Sequence, residues 1–196
     1  RKKRFNQSHL MDFTYNLAFN INDDDFETIA NRLSEGISGS ETVYFSAGKD
    51  GGKDGRRIGF SADLDKWKAS GSKFIIQAKH TGNPVASCSD NSFHGNKTSL
   101  IAAETIKVKE MYDKGELEYY ILFTNRKYSG AADSTIRKYI SKETKIPIDN
   151  IEIIGLETLN KWLNLEANRH IVLEFKLQGY QVPFEFSEAD IKEVVI

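Results

Sequence analysis

The chain has 196 residues, 39% of them hydrophobic and 11% aromatic, with 27 basic residues against 28 acidic ones. That length supports one well-cored domain, and the composition excludes global disorder. The charges nearly cancel, so no overall positive field announces a nucleic-acid partner, although a local basic surface can still steer one. The single cysteine, Cys88, rules out an internal disulfide and suits a reducing compartment, so a cytoplasmic protein is expected. No apolar run approaches the roughly 20 residues that a membrane helix needs. The opening Arg1-Lys2-Lys3-Arg4 lacks an initiator methionine and the apolar stretch of a secretory signal. Residues 1–10 read as an appended leader before a start at Met11, or as a basic arm continuing from something upstream. The leader is the reading adopted, and these residues enter no functional argument.

Phe13 to Ile21 alternates weakly, as a short strand or a lead-in segment does. Asn22-Asp23-Asp24-Asp25 offers N-cap candidates and negative charge for a helix start. Phe26, Ile29, Ala30, Leu33 and Ile37 follow at helical spacing, with Gly36 and Gly39 as stop signals. Val43 to Ala47 predicts a strand, the glycine-rich loop Gly48 to Gly55 follows, and a second strand lies around Arg57 to Phe60. After a polar turn at Lys68 to Ser72 comes the strand Phe74 to His80. Asn83 to Thr98, rich in Gly, Pro, Ser and Asn, predicts a long surface loop. Ser99 to Tyr112 predicts a helix, with Leu100, Ala103, Ile106 and Met111 as its apolar members between charges. Tyr119 to Thr124 is an unbroken apolar run, the mark of a strand covered on both faces. Ala131 to Thr144 predicts a helix with Ile136, Tyr139 and Ile140 inside, Ile151 to Ile154 a strand, and Leu156 to Leu163 a short helix. His170 to Ile196 alternates only in part and stays unplaced. Late strand–helix–strand alternation argues for parallel pairing and the early hairpin for antiparallel pairing, hence an α/β fold with a mixed central sheet flanked by helices. The expected division is 1–10, a domain over 11–165, and an extension over 166–196.

The chemistry-bearing stretch runs from Val43 to Thr81. Gly48-Lys49-Asp50-Gly51-Gly52-Lys53-Asp54-Gly55 doubles a Gly-Lys-Asp-Gly unit, and Gln77 and Lys79 share one face of the next strand but one. A lysine inside a sheet region is costly without an anion close by. Asp54 can supply that anion, or share a metal with Gln77 through the glutamine's amide oxygen. Each residue also has a plain structural reading. Lys79 alone is a strand-end lysine snorkelling to solvent, Glu27 is a helix-start charge complementing the dipole, and Gly51-Gly52 is a hairpin turn. The ordered combination of an acid on a hairpin and Gln-x-Lys on an apolar strand shifts the balance toward a site. Asp50 rivals Asp54; Asp54 is preferred because it leads directly into the next strand. The span from Asp54 to Gln77 exceeds a tight hairpin, so an insertion around Ser61 to Ser72 is expected.

These residues resemble the PD-(D/E)xK nuclease superfamily with Gln in place of the acid, and within it the Mrr-like restriction endonucleases, whose loop reads Gly-Gly-x-Asp-Gly before Gln-x-Lys. The likeness spans Phe26 to Asn125. It implies a restriction-endonuclease-like fold and a Mg²⁺-dependent deoxyribonuclease (Mn²⁺ as substitute) acting in restriction or phage defence. By the same likeness the metal rests on Asp54, Gln77 and the carbonyl of Ala78, Lys79 acts on water and phosphate, and Glu27 completes the site. Lys49, Lys53, Arg56 and Arg57 surround the acid loop and are candidate phosphate contacts, with a solvated face as the alternative; Arg126 and Lys127 could extend that surface. DNA is the expected partner. A homodimer and an ATPase or recognition module outside this chain are further candidates, and a membrane is not. The competing class is a non-cleaving nucleic-acid-binding or interaction module of a defence complex that keeps the fold. Cys88, His80 and His94 lack zinc-ligand spacing, and the loop lacks the Gly-Lys-[Ser/Thr] ending of a nucleotide-binding loop.

Overall fold

A computed structural model of the chain describes residues 13–38, 43–44, 55–59 and 72–180. A five-stranded sheet forms the centre, in the order β2 (Val43–Tyr44), β3 (Gly55–Gly59), β4 (Ser72–Lys79), β5 (Tyr119–Thr124), β6 (Ile151–Ile154). The β2–β3 and β3–β4 pairs are antiparallel, and β4–β5 and β5–β6 are parallel. Antiparallel neighbours can be joined by short links, whereas parallel ones need crossovers. Helices α2 (Leu100–Asp113) and α3 (Gly130–Thr144) supply them. The mixed α/β class expected from the sequence is the one observed, and the apolar strands β4 and β5 are interior strands.

Side chains alternate along these strands, so the sheet serves two cores. Phe74, Ile76, Ile121, Phe123 and Ile154 face helices α1 (Asp23–Ser38), α4 (Leu156–Leu163) and α5 (Arg169–Glu174). Ile75, Tyr120, Leu122, Ile151 and Ile153 face α2 and α3. The parallel register Ile75–Tyr120–Ile151 lines up one such row across three strands.

Helix α1 starts on a reciprocal cap: Asn22 Oδ1 accepts from the Asp25 amide at 2.8 Å, and Asp25 Oδ2 accepts from the Asn22 amide at 3.2 Å. It runs through Gly36 to Ser38, so Gly36 is not a stop signal; one glycine costs a helix only about 1 kcal/mol. In α2 the inward residues are Ile101, Ala102, Glu104, Thr105, Val108 and Met111, while Ile106 is 64% exposed. The apolar stripe expected through Ala103 and Ile106 is therefore turned about a residue away from the true inner face.

The loop between β4 and α2 lacks regular structure yet is anchored. Ala86, Cys88 and Phe93 are buried, the Cys88 amide donates to the Lys127 carbonyl, and Arg126 bonds Asp90 at 3.2 Å while lying 5.0 Å over the Phe93 ring. Arg126 is thus engaged in holding the loop rather than extending an open basic surface.

Residues 169–174, unplaced by pattern, form α5, and its Ile171 enters the α1-side core. Arg32 of α1 and Glu174 of α5 make a two-pronged ion pair, which holds the Glu174 carboxyl below its usual range. β1 (Thr14–Tyr15) pairs antiparallel with β7 (Gly179–Tyr180). Asn160 of α4 and Asn164, its C-cap one turn later, hold β1 and the residue before it. Asn164 accepts from the Phe13 amide and donates to its carbonyl, and Asn160 accepts from the Tyr15 amide at 2.6 Å. Asn160→Ala removes the acceptor from a partly buried amide. It is expected to cost about 1–3 kcal/mol in a urea unfolding curve.

Candidate functional site

Strand β4 presents its even and odd residues to different layers. Ala78 packs toward the α1 core, as do Phe74 and Ile76. Gln77 and Lys79 share the parity of Ile75, which lies in the α2 and α3 core. The expectation that Gln77 and Lys79 share a face is met. Gln77 is fully buried, and its Oε1 accepts the Tyr120 hydroxyl at 2.7 Å.

Lys79 ends the strand with its ammonium 3.3 Å from Oε1 of Glu104 on α2. Lys107, one turn further along α2, places its own ammonium 3.1 Å from the same oxygen. The Glu104 side chain is only 9% exposed, and Oε2 has no hydrogen-bond partner among the described residues. Glutamates are almost never buried unless paired, and here the pairing falls on one oxygen. Lys79 is thus an ion-paired strand-end lysine rather than one reaching freely into water. Sequence reasoning missed Glu104 and Lys107. The signal was available, since Glu104 lies three residues after Ile101 and four before Val108 and so shares their face.

Asp54, Asp50, Lys49 and Lys53 lie outside the described residues. Arg56 and Arg57 are strand positions in β3, opposite Ile75 and Phe74. The residue next to Asp54 is placed: Gly55 pairs with Ile76, the residue before Gln77. Glu27 stands half-buried in the first turns of α1, the helix packed on the Ile76 and Ala78 face. Gln77, Lys79, Glu104 and Lys107 therefore gather on one side of β4, and the helix bearing Glu27 covers the other.

His80, the next residue, turns to the α1 side. Its Nδ1 is 2.9 Å from Asp23 Oδ1, its Nε2 is 2.9 Å from the Leu17 carbonyl, and its ring lies 5.5 Å from Phe26. It fastens the end of β4 to the start of α1. Burial pushes the Cys88 thiol up to about 12, so it is neutral at pH 7. Burial holds His94 below its usual range, its ring 5.1 Å from Tyr139. Among the described residues no three His, Cys, Asp or Glu side chains are grouped so as to hold a metal, and no helix is long and apolar enough to cross a membrane.

No protein-family model and no curated protein matches this chain.

Proposed function

We propose that the chain is a metal-dependent DNA endonuclease of the PD-(D/E)xK type, Mrr-like in its Gln-x-Lys strand, with a restriction-endonuclease-like fold. The observation that carries this reading is the β3–β4 register. Asp54 is one peptide unit, about 3.8 Å between Cα atoms, from Gly55, and Gly55 is paired with the residue before Gln77. Asp50 lies four residues further from that paired position in the sequence.

Of the described groups, the buried Glu104 carboxylate, with an oxygen unpaired among the described residues, suits a hard divalent cation. Asp54 would hold Mg²⁺ or Mn²⁺, joined by the Gln77 amide oxygen and the Ala78 carbonyl. Bound there, the cation would offset charge on the phosphoryl oxygens and make a water easier to ionise. Lys79 donates to a phosphate oxygen or orients the attacking water, its ammonium positioned by Glu104. Glu27, on the helix that covers the opposite face of β4, is left out of this site, and Lys49, Lys53, Arg56 and Arg57 would grip phosphates either side of the scissile one.

A second reading, a non-cleaving DNA-binding or interaction module of a defence complex, is favoured by one observation: Gln77 stands where an acid would serve catalysis, and its oxygen is already bonded to Tyr120. Nicking of supercoiled plasmid with Mg²⁺ or Mn²⁺ separates the two. The parent chain should nick. Asp54→Asn should lose both nicking and calorimetric metal binding, and Asp50→Asn should keep both. Failure of the parent on plasmid, linear and methylated DNA would select the second reading.

A further inference from the structure

We infer, on the footing of the DNA partner in the nuclease reading, that Lys107 of α2 is a phosphate-binding residue. It and Lys79 form a two-ammonium seat for one phosphate of the DNA backbone, with Glu104 holding both in place. The two ammoniums meet the same oxygen, Glu104 Oε1, at 3.3 Å from Lys79 and 3.1 Å from Lys107. Their separation therefore cannot exceed the sum of those two distances, which is short enough for the oxygens of a single phosphate to reach both.

Charge and burial favour an anionic ligand over a closed structural cluster. One ammonium balances one carboxylate, so the second leaves a net positive charge and sets two like charges close together. An anion received by both ammoniums offsets that repulsion. The Glu104 side chain is 9% exposed, that of Lys79 23% and that of Lys107 47%. The negative charge thus lies inward and the positive charge faces solvent. An ammonium carries three donors, and among the described residues each of these two meets one oxygen, which leaves donors for a phosphate. Lysine binds phosphate as a point charge of this kind.

Ordinary pairing on the same helix has another form. Lys109 meets Asp113 at 2.7 Å, one ammonium to one carboxylate, both about half exposed, with no charge left over. The position of the seat also suits a ligand. Lys79 is the last residue of β4 and is in register with Thr124, the last of β5. The carboxyl ends of parallel strands are where open α/β sheets receive ligands. Helix α2 brings Lys107 there because Ile101, Glu104, Thr105 and Val108 form its buried face, and Lys107 follows Glu104 at the spacing of neighbours on a helix surface.

The test is fluorescence anisotropy of a labelled DNA duplex with the full chain in EDTA, where metal-dependent cleavage is blocked. It is read over a series of NaCl concentrations for the parent, Lys107→Gln and Lys109→Gln. The Lys107 side chain is about half in solvent, so its substitution leaves the fold intact. Lys107→Gln should weaken binding about fivefold or more at ~0.1 M salt and flatten the slope of log affinity against log salt by about 0.9, the loss of one phosphate contact. Lys109→Gln removes the same charge from the same helix and should change neither, and Lys107→Arg should restore the slope. If Lys107→Gln keeps the slope of the parent, or both glutamine variants lose equally, Lys107 seats no backbone phosphate and the inference falls. The nuclease reading then still stands on nicking and metal binding. An unchanged slope with Lys107-dependent binding of inorganic phosphate, seen as a shift in melting temperature, also overturns the inference and gives the seat to a free phosphate. A parent that binds no duplex overturns it as well, and if that parent also fails to nick, the nuclease reading falls with it.

Discussion

Lys79→Ala should reduce plasmid nicking by about 10²–10⁴-fold, the range for a positioned proton-transfer group, while Mn²⁺ affinity stays at or slightly above that of the parent. Lysine offers no ligand atom to a cation, so its loss removes nothing that holds the metal. It takes away a positive charge 3.3 Å from Glu104 Oε1, which makes the surroundings more favourable to a dication. Chemistry suffers because the ammonium is the described cation fixed nearest the strand end by a buried partner. Lys79→Arg is a sharper probe. The guanidinium keeps the charge but not the compact geometry, and it does not give up a proton at working pH. Partial rescue by Arg would assign Lys79 to phosphate binding, and none would assign it to the water. A Lys79→Ala chain that nicks like the parent removes lysine from the mechanism.

Phe123→Ala should destabilise the fold by about 3–5 kcal/mol, the usual cost of emptying a buried aromatic site. Phe123 is fully buried on β5, pairs in register with Ala78 and Ile154, and lies 6.3 Å from the Trp162 ring of α4. It touches the layer that ties the sheet to α1 and α4, and the strands on either side limit collapse into the void. Since a domain of this kind is stable by only about 5–15 kcal/mol, such a loss shows as a large drop in the urea midpoint. The matching control is Ile106→Ala, which should change stability by no more than about 0.5 kcal/mol because its side chain is mostly in solvent. Comparable losses at both positions would mean that the inner face of α2 has been assigned wrongly.

The strands that carry the candidate site were readable because they are mostly apolar and covered on both faces: β5 is an unbroken run, and the interior of β4 is interrupted only by Gln77. Parity then put Gln77 and Lys79 together without any knowledge of packing. The helix opposite was harder. α2 buries a glutamate and a threonine and exposes an isoleucine, so hydrophobicity points about a residue away from its true inner face. That inversion is physical in origin: where α2 meets the charged end of β4 it turns a carboxylate inward to pair with Lys79 in place of an apolar side chain. The error in phase and the failure to see Glu104 are one error. The short helix α5 escaped notice for another reason, since six residues are too few to establish a helical period. Arg126 looked like part of a basic surface because its partner Asp90 and the ring of Phe93 are 36 and 33 residues away in sequence and adjacent only in the folded chain.

The pairing of Thr14 with Tyr180 has a mechanical meaning. Thr14 and Tyr180 are register partners on adjacent antiparallel strands, so a pull applied at those two points separates the strands one hydrogen bond after another, instead of sliding long strands past each other. Load arriving from neighbouring segments would be spent on a two-residue zipper while the sheet bearing Lys79 stays unstressed. The same closeness makes 13 and 180 natural positions to join by a short linker, with new ends opened elsewhere on the surface.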